Sequence, residues 1–272
     1  MLKLNNIYEG QAHKMLDLMA KTNTTIDMVL TSPPYNTGRN SNSESARKNH
    51  EARYDVHLDD MTDTEYIDWT VDLFNKIDKV INDKGVVLYN MSYSTDITNM
   101  NDNYHPHEIM WRTVAELIAQ TNFTTVDCII WKKSSALTNN ASPNKLTRIV
   151  EFVYVFVKKD HIKDFNANKK VKSVSKSGQN YYENVFNFVE ARNNDGSNKL
   201  NKATYSSELC SKLLDIYAQP GYVVYDPFMG TGTTAVSCVE KGLDFLGSEI
   251  SSAQIAYTNE RLAKAKGSRV DE

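Results

Sequence analysis

Apolar positions along the chain repeat with two different periods, and the periods alternate. Tyr66, Trp69, Leu73, Ile77 and Ile81 recur three and four residues apart. That spacing predicts an amphipathic helix over Thr64–Ile81, closed by Asp83-Lys84-Gly85. A similar stripe (Ile109, Val114, Leu117, Ile118) predicts a helix over Pro106–Gln120, and further helices are expected at Ala12–Lys21 and Ser207–Ala218. Between them lie short apolar or β-branched runs: Lys3–Tyr8, Ile26–Leu30, Val86–Asn90, Val126–Trp131 and Ile149–Val157. Runs of that length read as buried strands. After the turn Gln219-Pro220-Gly221 come a strand at Val223–Tyr225, a glycine-rich turn, a helix to Lys241, a strand at Phe245–Gly247 and a last helix. Strands alternating with helices predict an α/β fold with a doubly wound, mostly parallel sheet, as a single domain over residues 1–272.

Two segments break the pattern. Residues 36–60 are polar and rich in Asn, Ser, Arg and Lys, which predicts a long mobile loop. Lys158–Lys202 has little regularity. It carries nine lysines and one arginine against two glutamates and three aspartates, a local +5 on a chain of net charge −3. The overall balance excludes a globally basic nucleic-acid binder, whereas the basic segment suits an edge that faces a polyanion. No apolar run is long enough to span a bilayer, the start Met1-Leu2-Lys3-Leu4-Asn5-Asn6 shows no secretory signal, and three scattered cysteines form neither a disulfide set nor a metal pattern. An intracellular protein without a metal site is the expectation.

Two motifs carry candidate chemistry. The strand at Ile26–Leu30 runs into Thr31-Ser32-Pro33-Pro34-Tyr35. Ser32 precedes a proline and is biased to extended geometry, and each proline fixes its own φ. The result is a rigid extended piece presenting a hydroxyl, carbonyls and a flat ring. The second motif is YDPFMGTGTTAVSCVEKGLDFLGSEI, from Tyr225 to Ile250. Strand, glycine turn, helix, strand and acidic residue in that order predict a nucleotide-type site at the carboxyl edge of the sheet. Gly230 and Gly232 would admit a ligand close to the backbone, Thr233 and Thr234 open the helix, Glu249 would accept from ribose hydroxyls, and Asp226 from an ammonium group. No Gly-Lys-Ser/Thr follows, which argues against a phosphate P-loop.

Together these motifs resemble the DNA amino-methyltransferases that use S-adenosylmethionine to methylate cytosine N4 or adenine N6. The order, with Ser32–Tyr35 before Asp226–Thr234, is similar to the circularly permuted β subgroup. The resemblance covers nearly the whole chain, including Ile129–Lys132, Arg148…Glu151 and Glu240–Arg261. It implies a Rossmann-like class I methyltransferase fold with a small target-recognition insert at 158–202. It also implies S-adenosyl-L-methionine as cofactor and double-stranded DNA with a flipped base as partner. A cognate restriction nuclease and a homodimer stay open. Ser32, Pro33, Pro34 and Tyr35 would hold the target base. The Ser32 hydroxyl and the Pro33 carbonyl would orient the amine, and Tyr35 would stack on the ring. Asp226, Phe228, Gly230, Gly232, Thr233, Thr234 and Glu249 would hold the cofactor, with Gln11, Lys202 and Tyr205 as further contacts. Many relatives have Gly-Asp where this chain has Gly10-Gln11, and a His-Pro or His-x-Ala start where it has Lys202-Ala203-Thr204-Tyr205.

Serine in the first motif resembles the cytosine-N4 enzymes more often than the adenine ones, so the reading leans to N4. Adenine N6, an RNA or protein-amide substrate, and a non-catalytic DNA-binding relative are the alternatives. No cysteine follows a proline, which argues against covalent attack at cytosine C5. Within the insert, Asn168, Gln179, Asn180 and Arg192 are candidates to read base edges, and Trp131 and Lys132 to touch DNA.

Overall fold

The computed structural model describes residues 1–36, 61–92, 108–135, 143, 146–195 and 204–268. Ten strands and six α-helices lie in these segments. In chain order they are β1 (Asn6–Glu9), α1 (Ala12–Lys21), β2 (Ile26–Thr31), α2 (Asp63–Asp78), β3 (Ile81–Met91), α3 (Glu108–Gln120), β4 (Phe123–Lys133) and β5 (Val150–Lys158). A short 3-10 turn at Lys159–Asp164 leads to β6 (Val171–Val174), β7 (Asn180–Tyr182) and β8 (Phe188–Ala191). The chain continues through α4 (Ser207–Tyr217), β9 (Val223–Asp226), α5 (Thr233–Lys241), β10 (Asp244–Glu249) and α6 (Ser252–Ser268).

Eight strands form one sheet in the order β1-β10-β9-β2-β3-β5-β4-β8. Only β5 runs against the others, paired antiparallel with β3 and β4. The expected mostly parallel, doubly wound sheet is therefore present. Alternation along the strands serves two cores. Met28, Leu30, Val153, Val155 and Val224 point to the side covered by α4, α5 and α6, where Leu213, Cys238 and Leu262 meet them. Val29, Phe156, Tyr225 and Leu246 point to the other side, against α1, α2 and α3. There Phe74 of α2 packs edge-on against Tyr89, Phe123 and Phe156 with centroids 5.0–5.5 Å apart.

The central neighbours β9 and β2 mark the switch point of the winding, since β10 lies on one side of them and β3 on the other. Ligands of open α/β sheets bind at the carboxyl ends of strands at such a point. The two sequence motifs leave the sheet at these two ends.

Several boundaries differ from expectation. α2 stops at Asp78 and Ile81 begins β3, pairing with Ile26. Asn82–Gly85 therefore lies inside a strand and does not close a helix. At Gly85 a Cβ would sit 2.4 Å from Ile81 Cγ1, so the irregular pairing between Ile26 and Met28 depends on a residue without a side chain. The basic segment is more regular than expected. β6 and β7 form a separate two-stranded ribbon, exposed on both strands, and β8 joins the main sheet parallel to β4. Of the loop expected at 36–60, all but Asn36 lies outside the described residues. Its two flanks clasp each other: Asn36 Nδ2 donates to the Met61 carbonyl at 2.7 Å and Met61 N donates back to Asn36 Oδ1 at 2.9 Å.

Candidate active site

The carboxyl ends of β9 and β2 are tied by one buried carboxylate. Thr31 Oγ1 donates to Asp226 Oδ1 at 2.7 Å, and Phe228 N donates to the same oxygen at 3.0 Å. Thr234 Oγ1, in the first turn of α5, donates to Oδ2 at 2.6 Å. Asp226 is 1 % exposed. Burial pushes its pKa up to about 6, against the three hydrogen bonds, which pull it down. It does not line the cavity described below, and both of its oxygens accept from these neighbours, which gives it a structural role joining the two strands.

The glycine turn between β9 and α5 is held from three sides. Gly232 has φ +83°, and a Cβ there would meet Thr258 Cγ2 of α6 at 2.1 Å. The glycine is therefore needed for packing against α6, while Gly230 faces the cavity. Glu249, at the end of β10, accepts from Gly230 N (2.7 Å) and from Ile250 N and Ser251 N (2.9 Å each), which aims its carboxylate. Asp195, missed by sequence reasoning, accepts from Thr233 Oγ1 at 2.6 Å and pairs with Arg261 at 2.7 Å. It is brought there by β8, whose four residues are too short to show a period.

A cavity of ≈ 520 Å³ opens over these ends, lined by Gln11, Ser32, Pro34, Phe228, Gly230 and Glu249 among others. That volume is in the range of cofactor sites. One wall is aromatic: Trp69 of α2 stands 5.4 Å from Phe228 and 5.2 Å from His13. Thr204 also lines it, and its buried hydroxyl has no partner among the described residues. A polar group left unmatched in an apolar-walled cavity is what a polar ligand would satisfy.

The first motif is anchored by its neighbours. The Pro34 carbonyl accepts from Tyr66 Oη at 2.9 Å. Ser32 Oγ lies 2.7 Å from Tyr35 Oη, which donates to Glu151 Oε2 at 3.1 Å. Asn90 Nδ2 donates to Tyr35 Oη at 2.5 Å and to Glu151 Oε2 at 2.9 Å. Lys133 pairs with the other oxygen of Glu151.

A family model for DNA methylases (N6_N4_Mtase) matches residues 26–260, from β2 into α6. The chain belongs to this DNA methylase family. It is a DNA amino-methyltransferase with S-adenosylmethionine as methyl donor. Among curated relatives, the type II methyltransferase M.BglII of Bacillus subtilis is 24% identical, over 93% of this chain and 68% of its own length. The orphan methyltransferase M.BamHII of Bacillus amyloliquefaciens is 23% identical, over 88% and 89%. Among solved structures, the cytosine-N4-specific PvuII DNA methyltransferase has TM-score 0.67 at 15% identity, covering 96% of this chain and 90% of that one. An M1.HpyAVI–SAM complex has TM-score 0.61 at 19% identity, covering 94% and 98%. These likenesses agree with the Rossmann-like fold of the methylase.

The other expected residues fall in three groups. Gln11, Thr233 and Tyr205 line the same cavity as Phe228, Gly230 and Glu249. Tyr205 is buried and shares a short hydrogen bond with Thr234, and burial pushes its phenol well above the usual tyrosine range. Lys202 lies outside the described residues. Pro33 is buried and Tyr35 half-buried, and neither lines the cavity. Three expected DNA contacts have partners within the methylase itself. Trp131 is 1 % exposed with Nε1 donating to the Ala191 carbonyl. Asn168 holds the end of α4, donating from Nδ2 to the Asp215 and Ala218 carbonyls. Lys132 pairs with Glu190 at 3.0 Å. No helix among the described residues is long and apolar enough to cross a membrane.

Proposed function

We propose that the methylase modifies the exocyclic N4 amine of cytosine at a specific site in double-stranded DNA, with the target base flipped out of the duplex to meet Ser32. The observation that carries this reading is that Ser32, a neutral acceptor, lines the same cavity as Glu249, Gly230 and Phe228. An aromatic amine is a weak nucleophile because its lone pair is delocalised into the ring. Hydrogen bonds from the amine to Ser32 Oγ and to the Pro33 carbonyl favour a pyramidal nitrogen and aim its lone pair, which is catalysis by orientation. Tyr35, fixed through its hydroxyl, offers its ring to the extruded base. S-adenosylmethionine supplies an activated methyl group when bound. Glu249 would hold its ribose, the Phe228–Trp69 wall its purine, and Thr233 with the α5 N-terminus its carboxylate. The partnerless Thr204 hydroxyl and the cavity volume support that fit.

The β6–β7 ribbon supports DNA as the acceptor. It exposes Tyr181 and Tyr182 beside Lys169, Lys170, Lys172 and Lys176, and its tip places Gln179 and Asn180 outward. A two-stranded ribbon fits the major groove, where lysines contact phosphates and amides read base edges.

The test is expression in a host that lacks DNA methylation, followed by mass spectrometry of its DNA nucleosides. N4-methylcytosine is the expected product. N6-methyladenine would keep the chemistry and overturn the base, and neither product with cofactor bound would overturn DNA as the substrate.

A further inference from the structure

We propose that Glu151 sets Ser32 as a pure acceptor towards the target amine and receives the proton released on methyl transfer, relayed through the Tyr35 hydroxyl. The inference rests on Ser32 as the partner of that amine.

Glu151 comes from β5, the one reversed strand, and is 7 % exposed. It meets Lys133 of β4, Asn90 of β3, and Tyr35 beyond the end of β2. An ionised carboxylate only accepts, so the direction of every bond leading to it is fixed. The single proton of Tyr35 points to Glu151 Oε2. The 2.7 Å contact between Tyr35 and Ser32 then has one proton left to use, that of Ser32. Ser32 therefore donates inward, and its lone pairs are what it can show the cavity it lines. Asn90 reinforces the direction. Its two amide protons serve Tyr35 Oη at 2.5 Å and Glu151 Oε2 at 2.9 Å, with Ser32 Oγ more distant at 3.3 Å. Turning that amide over would set its oxygen against the carboxylate, a worse outcome than the present orientation, which leaves Asn90 Oδ1 buried with no partner among the described residues.

The chemistry needs such a sink. The target nitrogen bonds the methyl carbon, leaving the former carbon–sulfur pair on sulfur, and becomes cationic with one proton too many. A serine hydroxyl is too weak a base to keep that proton. Ser32 Oγ takes it from nitrogen as its own proton passes to Tyr35 Oη and the tyrosine proton passes to Glu151 Oε2. Both hydroxyls are restored, the nitrogen is neutral, and the one extra proton rests on Glu151. Glu151 is thus a positioning residue in the ground state and acts on the substrate only through Tyr35 and Ser32.

The test uses the full chain, DNA carrying its methylation site, and the variants Glu151→Gln, Tyr35→Phe and the double variant. Each single variant is expected to lower kcat by about 10²-fold or more, as loss of general acid–base assistance does. KM for DNA and the calorimetric Kd for cofactor stay within about threefold. The double variant is no slower than the slower single one, because a relay acts as a unit. A readout without turnover is the infrared difference between the free protein and Glu151→Gln, expected to show an ionised carboxylate. Where loss of the Lys133 partner unfolds Glu151→Gln, Tyr35→Phe decides, since it keeps that ion pair. A kcat within threefold of wild type, losses confined to KM or Kd, multiplying losses in the double variant, or a protonated carboxyl band would each overturn the relay. Wild type that transfers no methyl group to DNA would overturn the functional reading and the relay with it.

Discussion

At the scale of single residues, two motif positions do work that differs from what their sequence neighbours suggest. Asp226 belongs to the DPF signature, yet its carboxylate is consumed by Thr31, Thr234 and Phe228 N, joining β2, β9 and α5 at the base of the site. Its raised pKa has a consequence for stability. Between the unfolded value of 3.8 and the folded value of about 6, the native state holds a proton that the unfolded chain has released. Stability from this group is therefore full below the lower value and falls as pH rises through that window. Wild type should lose on the order of 2 kcal/mol relative to Asp226→Asn between pH 4 and pH 7, measured by urea unfolding. A difference that does not change with pH would contradict the burial argument. Gly232 is legible as a glycine, but its packing role is not, because its neighbour Thr258 is far away in sequence. Gly232→Ala combines a left-handed backbone with a clash at 2.1 Å and should cost about 2–4 kcal/mol by chemical denaturation. Adding Thr258→Ser removes the clashing methyl and should recover part of that loss. No recovery would place the cost in the backbone alone.

At the scale of elements, periodicity located the helices because each buries one stripe: Met15, Leu16 and Met19 of α1, or Leu73, Phe74 and Ile77 of α2. It misplaced the end of α2 because Ile81 continues the helical stripe while belonging to the sheet. Thr62 fixes the other end by a capping box with Glu65, so Thr62→Ala should cost about 1 kcal/mol in unfolding free energy. The strands β6, β7 and β8 were illegible for a different reason. A ribbon exposed on both faces has no apolar alternation to show, and β8 is an edge strand of four residues. Charge revealed that region instead. If the ribbon grips phosphates, Lys170→Ala/Lys172→Ala/Lys176→Ala should lower the slope of log affinity for DNA against log salt by about 3. Melting temperature and cofactor affinity should stay at wild type, since the ribbon forms a sheet of its own. An unchanged salt slope would remove the ribbon from the DNA interface.

At the scale of the whole molecule, the order of strands brings together what the sequence keeps apart. Nearly two hundred residues separate Thr31 from Asp226, yet parallel pairing of β2 with β9 sets them side by side. Alternation of strands and helices was enough to expect the carboxyl edge as the site, and the two motifs were enough to expect both halves of it. The partners that hold those motifs were not legible: Glu151, Asn90, Lys133, Asp195 and Trp69 lie on other elements and become neighbours only through the winding of the sheet. The central claim is that Ser32 works on a DNA amine inside a cofactor cavity. Its most direct test is transfer from methyl-labelled S-adenosylmethionine to duplex DNA by the purified chain, with nucleosides resolved after digestion. The account predicts label in N4-methylcytosine for wild type, and at least about a hundredfold less for Ser32→Ala at unchanged cofactor affinity. Label in no base, or full transfer by Ser32→Ala, would contradict it.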